Sequence, residues 1–304
     1  MKNLFINPNT NWLRAGWRIL AFIIIFAVIN TTLTIGVRTL LGSLKGGGVL
    51  WFTLLGISAT AAVYLGRKYI DKDTIFSLGL TFNKAAIKDF LYGIFNSALV
   101  MSGIYFTMLF AGLIKYEGLN WWLENTNGEA QFSMAVVPII LAVFWKLSIV
   151  AWWEELVFRG IIFQNLIKGI GLVWSIVLSS LLFGLVHAGN PDATILSTIM
   201  IMLVTPQLIY AYLKTGQLWL PIGLHLGWNF FQASVFGFAS SGQSSPSLIN
   251  QEAIGPEWIS GGEFGAEGSI LIIPFTIASI ILIHWWVRYS RVPEQKLFGF
   301  IAPK

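Results

Sequence analysis

The residues of this chain best placed to do chemistry are two adjacent carboxylates, Glu154 and Glu155, followed four residues on by Arg159, all inside the apolar run from Ile149 to Arg159. A single ionisable side chain at bilayer depth costs roughly 2.5–3.5 kcal/mol on insertion scales. A second acid beside the first adds repulsion at short range in a low dielectric. Packing does not require such a pair, so its presence points to use. Later apolar segments supply His187, one turn after Phe183, and His225, one turn before Asn229. Carboxylates, imidazoles and an amide are the parts of a hydrolytic site that activates water.

Helix geometry separates the two acids. Glu155 and Arg159 stand at i, i+4, an ion-pair spacing, whereas Glu154 points about 100° away around the axis. Arg159 is therefore expected to hold Glu155 ionised and oriented, leaving Glu154 free to handle a water proton. If the chain turns at Gly169–Ile170–Gly171, Glu154 and His187 fall at nearly equal depth on the two arms of a hairpin. His225 is a difficulty, because it lies closer to its own turn at Thr215–Gly216 by about 10 Å of helix. Either the fourth and fifth helices project past the bilayer on the cytoplasmic side, or they tilt. Lys146, two turns before Glu154, is a mid-span cation to which no role is assigned.

The elements that must position these groups are membrane helices. Of 304 residues, 56% are hydrophobic and 11% charged, against roughly 25% charged in soluble domains. Apolar stretches of spanning length run over Trp17–Ile35, Val49–Gly66, Phe90–Ile114, Met134–Phe158, Leu172–His187, Thr194–Leu213, Trp219–Phe236 and Ser269–Val287. The expected architecture is all-α and polytopic, with about eight transmembrane helices and a cavity between the fourth, fifth and seventh. The chain divides into residues 1–130 (the first three helices), a core over 131–236, an exposed and lid-like loop over 237–268, and residues 269–304 with the last helix and a basic tail. A helix start is expected at Asn190–Pro191, with Asn190 as its cap.

Cations (Lys2, Arg14, Arg18, Arg67, Lys68, Lys72, Lys84, Lys88, Lys168, Lys214, Arg288, Arg291, Lys296, Lys304) gather in alternate loops. The opposite loops hold Glu117, Glu124, Glu129, Asp192, Glu252, Glu257, Glu263 and Glu267 with only Arg38, Lys45 and Lys115. The positive-inside rule then puts both termini in the cytoplasm. This dispersal gives no basic face for nucleic acid, despite a pI near 9.4. Trp12, Trp17, Trp121, Trp122, Trp285 and Trp286 sit near span ends as interfacial anchors, and His284 lies with them outside the site. The absence of cysteine excludes disulfides and thiolate metal sites.

Glu154-Glu155-x-x-x-Arg159, Phe183-x-x-x-His187 and His225-x-x-x-Asn229 resemble the three signature motifs of the CPBP family of intramembrane proteases, which includes CAAX prenyl endopeptidases and bacteriocin-processing or self-immunity proteins. The resemblance covers about Ala135–Phe236. It implies an endopeptidase in which Glu154 and His187 activate water, while His225 and Asn229 support the site or stabilise the oxyanion. Glu154, His187, His225 and a water would make a zinc set. The same residues could also act without metal, and an HExxH motif is absent; both routes stay open. The expected partners are the lipid bilayer and a peptide or membrane-protein substrate cut near its membrane anchor. A cysteine-free chain of this style points to a bacterial inner (plasma) membrane, where prenylated tails are not expected. The rival readings are a non-catalytic scaffold or self-immunity protein of the same family, and a proton-coupled transporter.

Overall fold

A computed structural model describes residues 2–8, 11–43, 48–124 and 130–290. Lys45, Glu129, Arg291, Lys296 and Lys304 lie outside them. Eight apolar helices follow in order: α1 (Ala15–Leu41), α2 (Val49–Ile70), α3 (Lys84–Phe110), α4 (Val136–Ile170), α5 (Leu172–His187), α6 (Ile195–Thr215), α7 (Trp219–Phe230) and α8 (Ile272–Ser290). Helices are the expected solution where a lipid environment offers the backbone no hydrogen-bond partners. Six of the eight are long and apolar enough to cross a membrane. The expected count of eight spans thus resolves into six long helices and two shorter ones. α5 has 16 residues, and α7 has 12 and continues through a five-residue π-helical turn, Phe231–Val235.

The outer faces carry the apolar surface that faces lipid in such a protein; Leu40 and Phe110 are each 84% exposed. Inside, one large cluster built from α2, α4, α5, α6 and α7 surrounds the Glu-Glu segment. A second joins α3, the end of α7 and the segment after it. At the basic end, Arg67 pairs with Asp71 at 2.8 Å and Asp73 at 2.7 Å, and Arg18 reaches Asp71 at 3.4 Å. Partial burial works against ionisation of Asp73, yet the Thr74 N–H and the Arg67 guanidinium hold its carboxyl below the ordinary range. Arg18 and Arg67, counted in the sequence as loop charges, are thus buried members of an ion network tying α1 to α2.

Two features decide where the chemistry sits. The first is the length of α4: 35 residues, roughly 52 Å at 1.5 Å per residue, against a hydrocarbon core of about 30 Å. The second is the stagger of α7. Its start is drawn inward by the Leu218 N–H, which donates to the Gly79 carbonyl at 2.8 Å, and Leu218 packs against Gly160. Six residues separate Gly160 from Glu154 and seven separate Leu218 from His225, so the two side chains arrive at one level. The ten residues of α4 beyond Gly160, roughly 15 Å, project past the start of α7. That projection removes the depth mismatch.

α7 is held against α3 by missing side chains. A Cβ on Gly93 would fall 2.6 Å from the Leu224 nitrogen, and one on Gly227 would fall 2.8 Å from the Ile94 Cα; Gly223 is closed by the Phe90 backbone. The seam lets Ser97 Oγ donate to the Leu224 carbonyl at 2.7 Å, a close small-residue approach of the kind that replaces hydrophobic driving force in lipid. Gly223→Leu is expected to push α7 off α3, shift His225 away from Glu154, and remove both activity and the sharp thermal transition of the purified protein. An active, normally folded Gly223→Leu protein would contradict the stated role of this seam.

Two sequence expectations are corrected. The helix after Pro191 starts at Ile195 and is capped by Thr194, whose side chain accepts from the Ser197 N–H in a capping box; Asp192 instead occupies a left-handed turn at φ 54°. Segment 237–268 was expected to be an exposed loop but is folded inward. Its strand β2 (Ile249–Ala253) pairs antiparallel with β1 (Ile114–Leu119), and Phe238, Ser260, Phe264, Ala266 and Glu267 are buried. Polar composition hid this because the segment buries its own backbone against protein: Leu248 N–H donates to the Ser234 carbonyl, and Gly242 N–H to the Phe264 carbonyl.

Candidate active site

Glu154 and Glu155 end the first α-helical stretch of α4, which resumes at Gln164. Beyond them, Leu156–Phe163 is wound as a π-helix, every residue of it buried. Widened helical turns of this kind concentrate at functional sites, and here the wide turn carries Arg159 inward. Arg159 Nη1 donates to Glu155 Oε1 at 3.0 Å, both residues being 0% exposed. The same oxygen accepts from His225 Nδ1 at 2.8 Å. The pair with Arg159 is the one the i, i+4 spacing led one to expect; the bond to His225, which joins α4 to α7 through the same carboxylate, is not given by that spacing.

Glu154 faces the other way. Its Oε2 lies 3.7 Å from His225 Nε2 and 3.9 Å from His187 Nε2, and it has no hydrogen-bond partner among the described residues. His187 Nδ1 donates to the Phe183 carbonyl at 2.8 Å, which assigns the ring proton to Nδ1 when the imidazole is neutral. The bond from His225 Nδ1 to Glu155 does the same for that ring. Both Nε2 atoms are then acceptors, as is the Glu154 carboxylate. Three acceptors aimed at one point call for a donor between them, and a water molecule fits that demand chemically.

Phe183 organises these groups. The Arg159 guanidinium lies 4.4 Å from its ring centroid, a cation–π contact made strong by desolvation. The His187 ring is 4.5 Å away and the His225 ring 6.2 Å, edge-on. Glu154, His187, His225 and Asn229 all line one cavity of about 280 Å³. The structure thus brings all six expected residues together: four at the cavity wall, with Glu155 and Arg159 buried behind them. His284 stays apart, bonded to the Tyr210 hydroxyl at 2.9 Å.

Glu154, His187 and His225 were also the expected zinc ligands. Ligands at 2.0–2.1 Å on a tetrahedral ion would lie roughly 3.3 Å from one another, closer than the 3.7 and 3.9 Å found here. Among the described residues, no three His, Cys, Asp or Glu side chains form a group spaced to hold a metal ion. Glu154 Oε2 thus stands about 0.4–0.6 Å farther from each histidine Nε2 than two ligands of one tetrahedral ion would.

The cavity also has walls that sequence reasoning missed. Trp51 and Phe52 of α2 close one side, and Ser240, Ser241 and Glu267 of the folded-in segment close another. Glu267 accepts from Trp228 Nε1 at 3.0 Å, the Ser241 N–H at 2.8 Å and Ser241 Oγ at 2.6 Å. It is a latch between α7 and the cap. In the sequence, Glu267 is one acid among several in a polar loop, and no local signal sets it apart.

Comparison with known proteins meets this geometry at the same residues. Residues 131–231 match the family described as "Type II CAAX prenyl endopeptidase Rce1-like", a range that holds both glutamates, both histidines and Asn229. This match falls on the same residues that resemble the CPBP motifs in the sequence. The chain is also 28% identical over 188 residues to the "Putative membrane peptidase YdiL" of Bacillus subtilis (strain 168), covering 60% of this chain and 69% of that protein. No solved structure matches. The six long apolar helices fit an integral membrane protein, and the central third of the chain is similar to a membrane-protease family.

Proposed function

We propose that this CPBP-family protein is an intramembrane endopeptidase that hydrolyses a peptide bond near the membrane-anchored part of its substrate, with Glu154 as the general base. The observation that carries this reading is the convergence of Glu154 Oε2 on two histidine Nε2 atoms while Glu155 and Arg159 pair behind it. A water held between Glu154 and His187 gives its proton to the carboxylate as it attacks the carbonyl carbon. The proton then passes to the leaving amine as the C–N bond breaks. Asn229, one turn from His225 on the cavity wall, is suited to donate its amide to the oxyanion; one such donor is worth roughly 10²–10³ in rate. Glu155 and Arg159 fix the His225 ring without touching substrate.

The proposed substrate is a peptide or membrane protein with an apolar anchor, which the Trp51, Phe52 and Leu147 side of the cavity would accept. The basic ends of the helices mark the cytoplasmic side by the positive-inside rule, so both termini are assigned there, in a bacterial inner membrane.

Comparative peptidomics of membranes carrying the wild type or Glu154→Gln at equal expression tests this reading. New peptide termini that appear only with the wild type are expected. Identical profiles, with any cellular phenotype intact in the mutant, would sink the enzymatic reading and leave a scaffold. Exhaustive chelation of the purified protein is expected to leave cleavage intact; loss that only added zinc restores would replace the metal-free base with a metal-activated water.

A further inference from the structure

Lys146 is the cation that the mechanism does not use. It lies on α4 at the cavity wall, eight residues before Glu154. Its Nζ sits 5.2 Å from the Phe52 ring centroid, and it makes no ion pair with an acid among the described residues. Of the carboxylates on the cavity wall, Glu267 accepts three hydrogen bonds and Glu154 Oε2 stands 3.7 and 3.9 Å from the two histidine Nε2 atoms, so neither pairs with Lys146. Lys146 is also ten residues inside α4, roughly 15 Å from its start. Lipid headgroups would not reach that depth, and both Lys146 and the Phe52 ring beneath its ammonium line the cavity.

We infer that Lys146 is a specificity residue that binds a substrate carboxylate three to four residues from the scissile bond, a reading that rests on the protease function proposed above. Eight helical residues separate Lys146 from Glu154 by about 12 Å along α4. An extended peptide advances about 3.3 Å per residue, so a chain lying along the cavity from Glu154 brings its third or fourth residue to the ammonium. The Phe52 face holds the cation without neutralising it, leaving its N–H donors for an incoming anion. An Asp or Glu side chain and a free C-terminal carboxylate share the required chemistry.

The test compares cleavage products in native membranes carrying the wild type, Glu154→Gln, Lys146→Gln, Lys146→Arg or Lys146→Glu, each at matched protein level. With the wild type, Glu154-dependent cuts are expected to show an acidic residue, or the chain terminus, three to four residues from the new end. Charge-assisted hydrogen bonds of this kind are worth roughly tenfold to a hundredfold in selection. Lys146→Gln should erase that preference, Lys146→Arg should keep it, and Lys146→Glu should replace it with Lys or Arg. An internal acid at that spacing identifies the side chain as the ligand; a chain end there identifies the terminal carboxylate. An unchanged preference in Lys146→Glu, or Glu154-dependent cuts with no acidic or terminal preference, would overturn the Lys146 assignment and leave the protease standing. No Glu154-dependent cuts at all would remove both.

Discussion

Glu154→Gln abolishes peptide cleavage while leaving the fold intact: this is the largest effect expected of any single substitution in the chain. The carboxylate lines the cavity and has no hydrogen-bond partner for its Oε2 among the described residues, so replacing it with an isosteric amide breaks no bond that holds the helices. It removes the base. A positioned base contributes roughly 10²–10⁴ in rate, and the amide would also present a donor or a non-basic oxygen where the water must lose its proton. The expected reading is a loss of at least about a hundredfold in kcat, with substrate binding and the thermal unfolding temperature in detergent close to wild type. Glu154→Asp should also fail, because shortening the side chain withdraws the oxygen from both histidines. Glu154→Gln protein that cleaves at a tenth of the wild-type rate would show that another group takes the proton.

Arg159→Leu is expected to act in the opposite manner, on the fold first and on activity as a consequence. Glu155 and Arg159 are both fully buried and joined at 3.0 Å, and Glu155 also anchors His225 on a different helix. Removing one partner of a buried pair leaves an uncompensated charge, at a cost of roughly 3–5 kcal/mol. It would also take the cation from the face of Phe183. Thermal unfolding of the detergent-purified protein, followed by tryptophan fluorescence, should show a large drop in midpoint for Arg159→Leu. A smaller drop is expected for Glu155→Gln, where the amide oxygen can still accept from His225. The double variant should be less destabilised than the sum of the singles, because neither charge is left alone. A wild-type midpoint for Arg159→Leu would mean that the pair does not hold α4 to α7.

The pairings within the candidate site were legible in the sequence because they depend on local spacing. Residues at i and i+4 share a helix face in any helix, so Glu155 with Arg159, Phe183 with His187, and His225 with Asn229 were each set by counting. The level of Glu154 with His187 followed from one turn, marked by Gly171 at φ 78°, and from a constant rise per residue. Membrane class and the order of the eight helices followed from composition and apolar length, since a bilayer leaves the backbone few alternatives.

What counting could not supply was the relation between helices that are not neighbours in the chain. The level of His225 depends on how far α7 slides along α4, and that is decided by the Gly79–Leu218 bond and by glycines on α3 and α7 whose partners lie more than a hundred residues away. Closure of the cavity depends on Glu267 meeting Trp228 and Ser241, an arrangement with no local period. Hydropathy likewise gave segment 237–268 as exposed, because it registers side-chain polarity and not the hydrogen bonds that let polar backbone be buried. The sequence by itself determined which groups are candidates for the chemistry and which of them share a helix face. The tertiary structure alone decided that two histidines meet at one carboxylate oxygen, because only packing sets the stagger between distant helices.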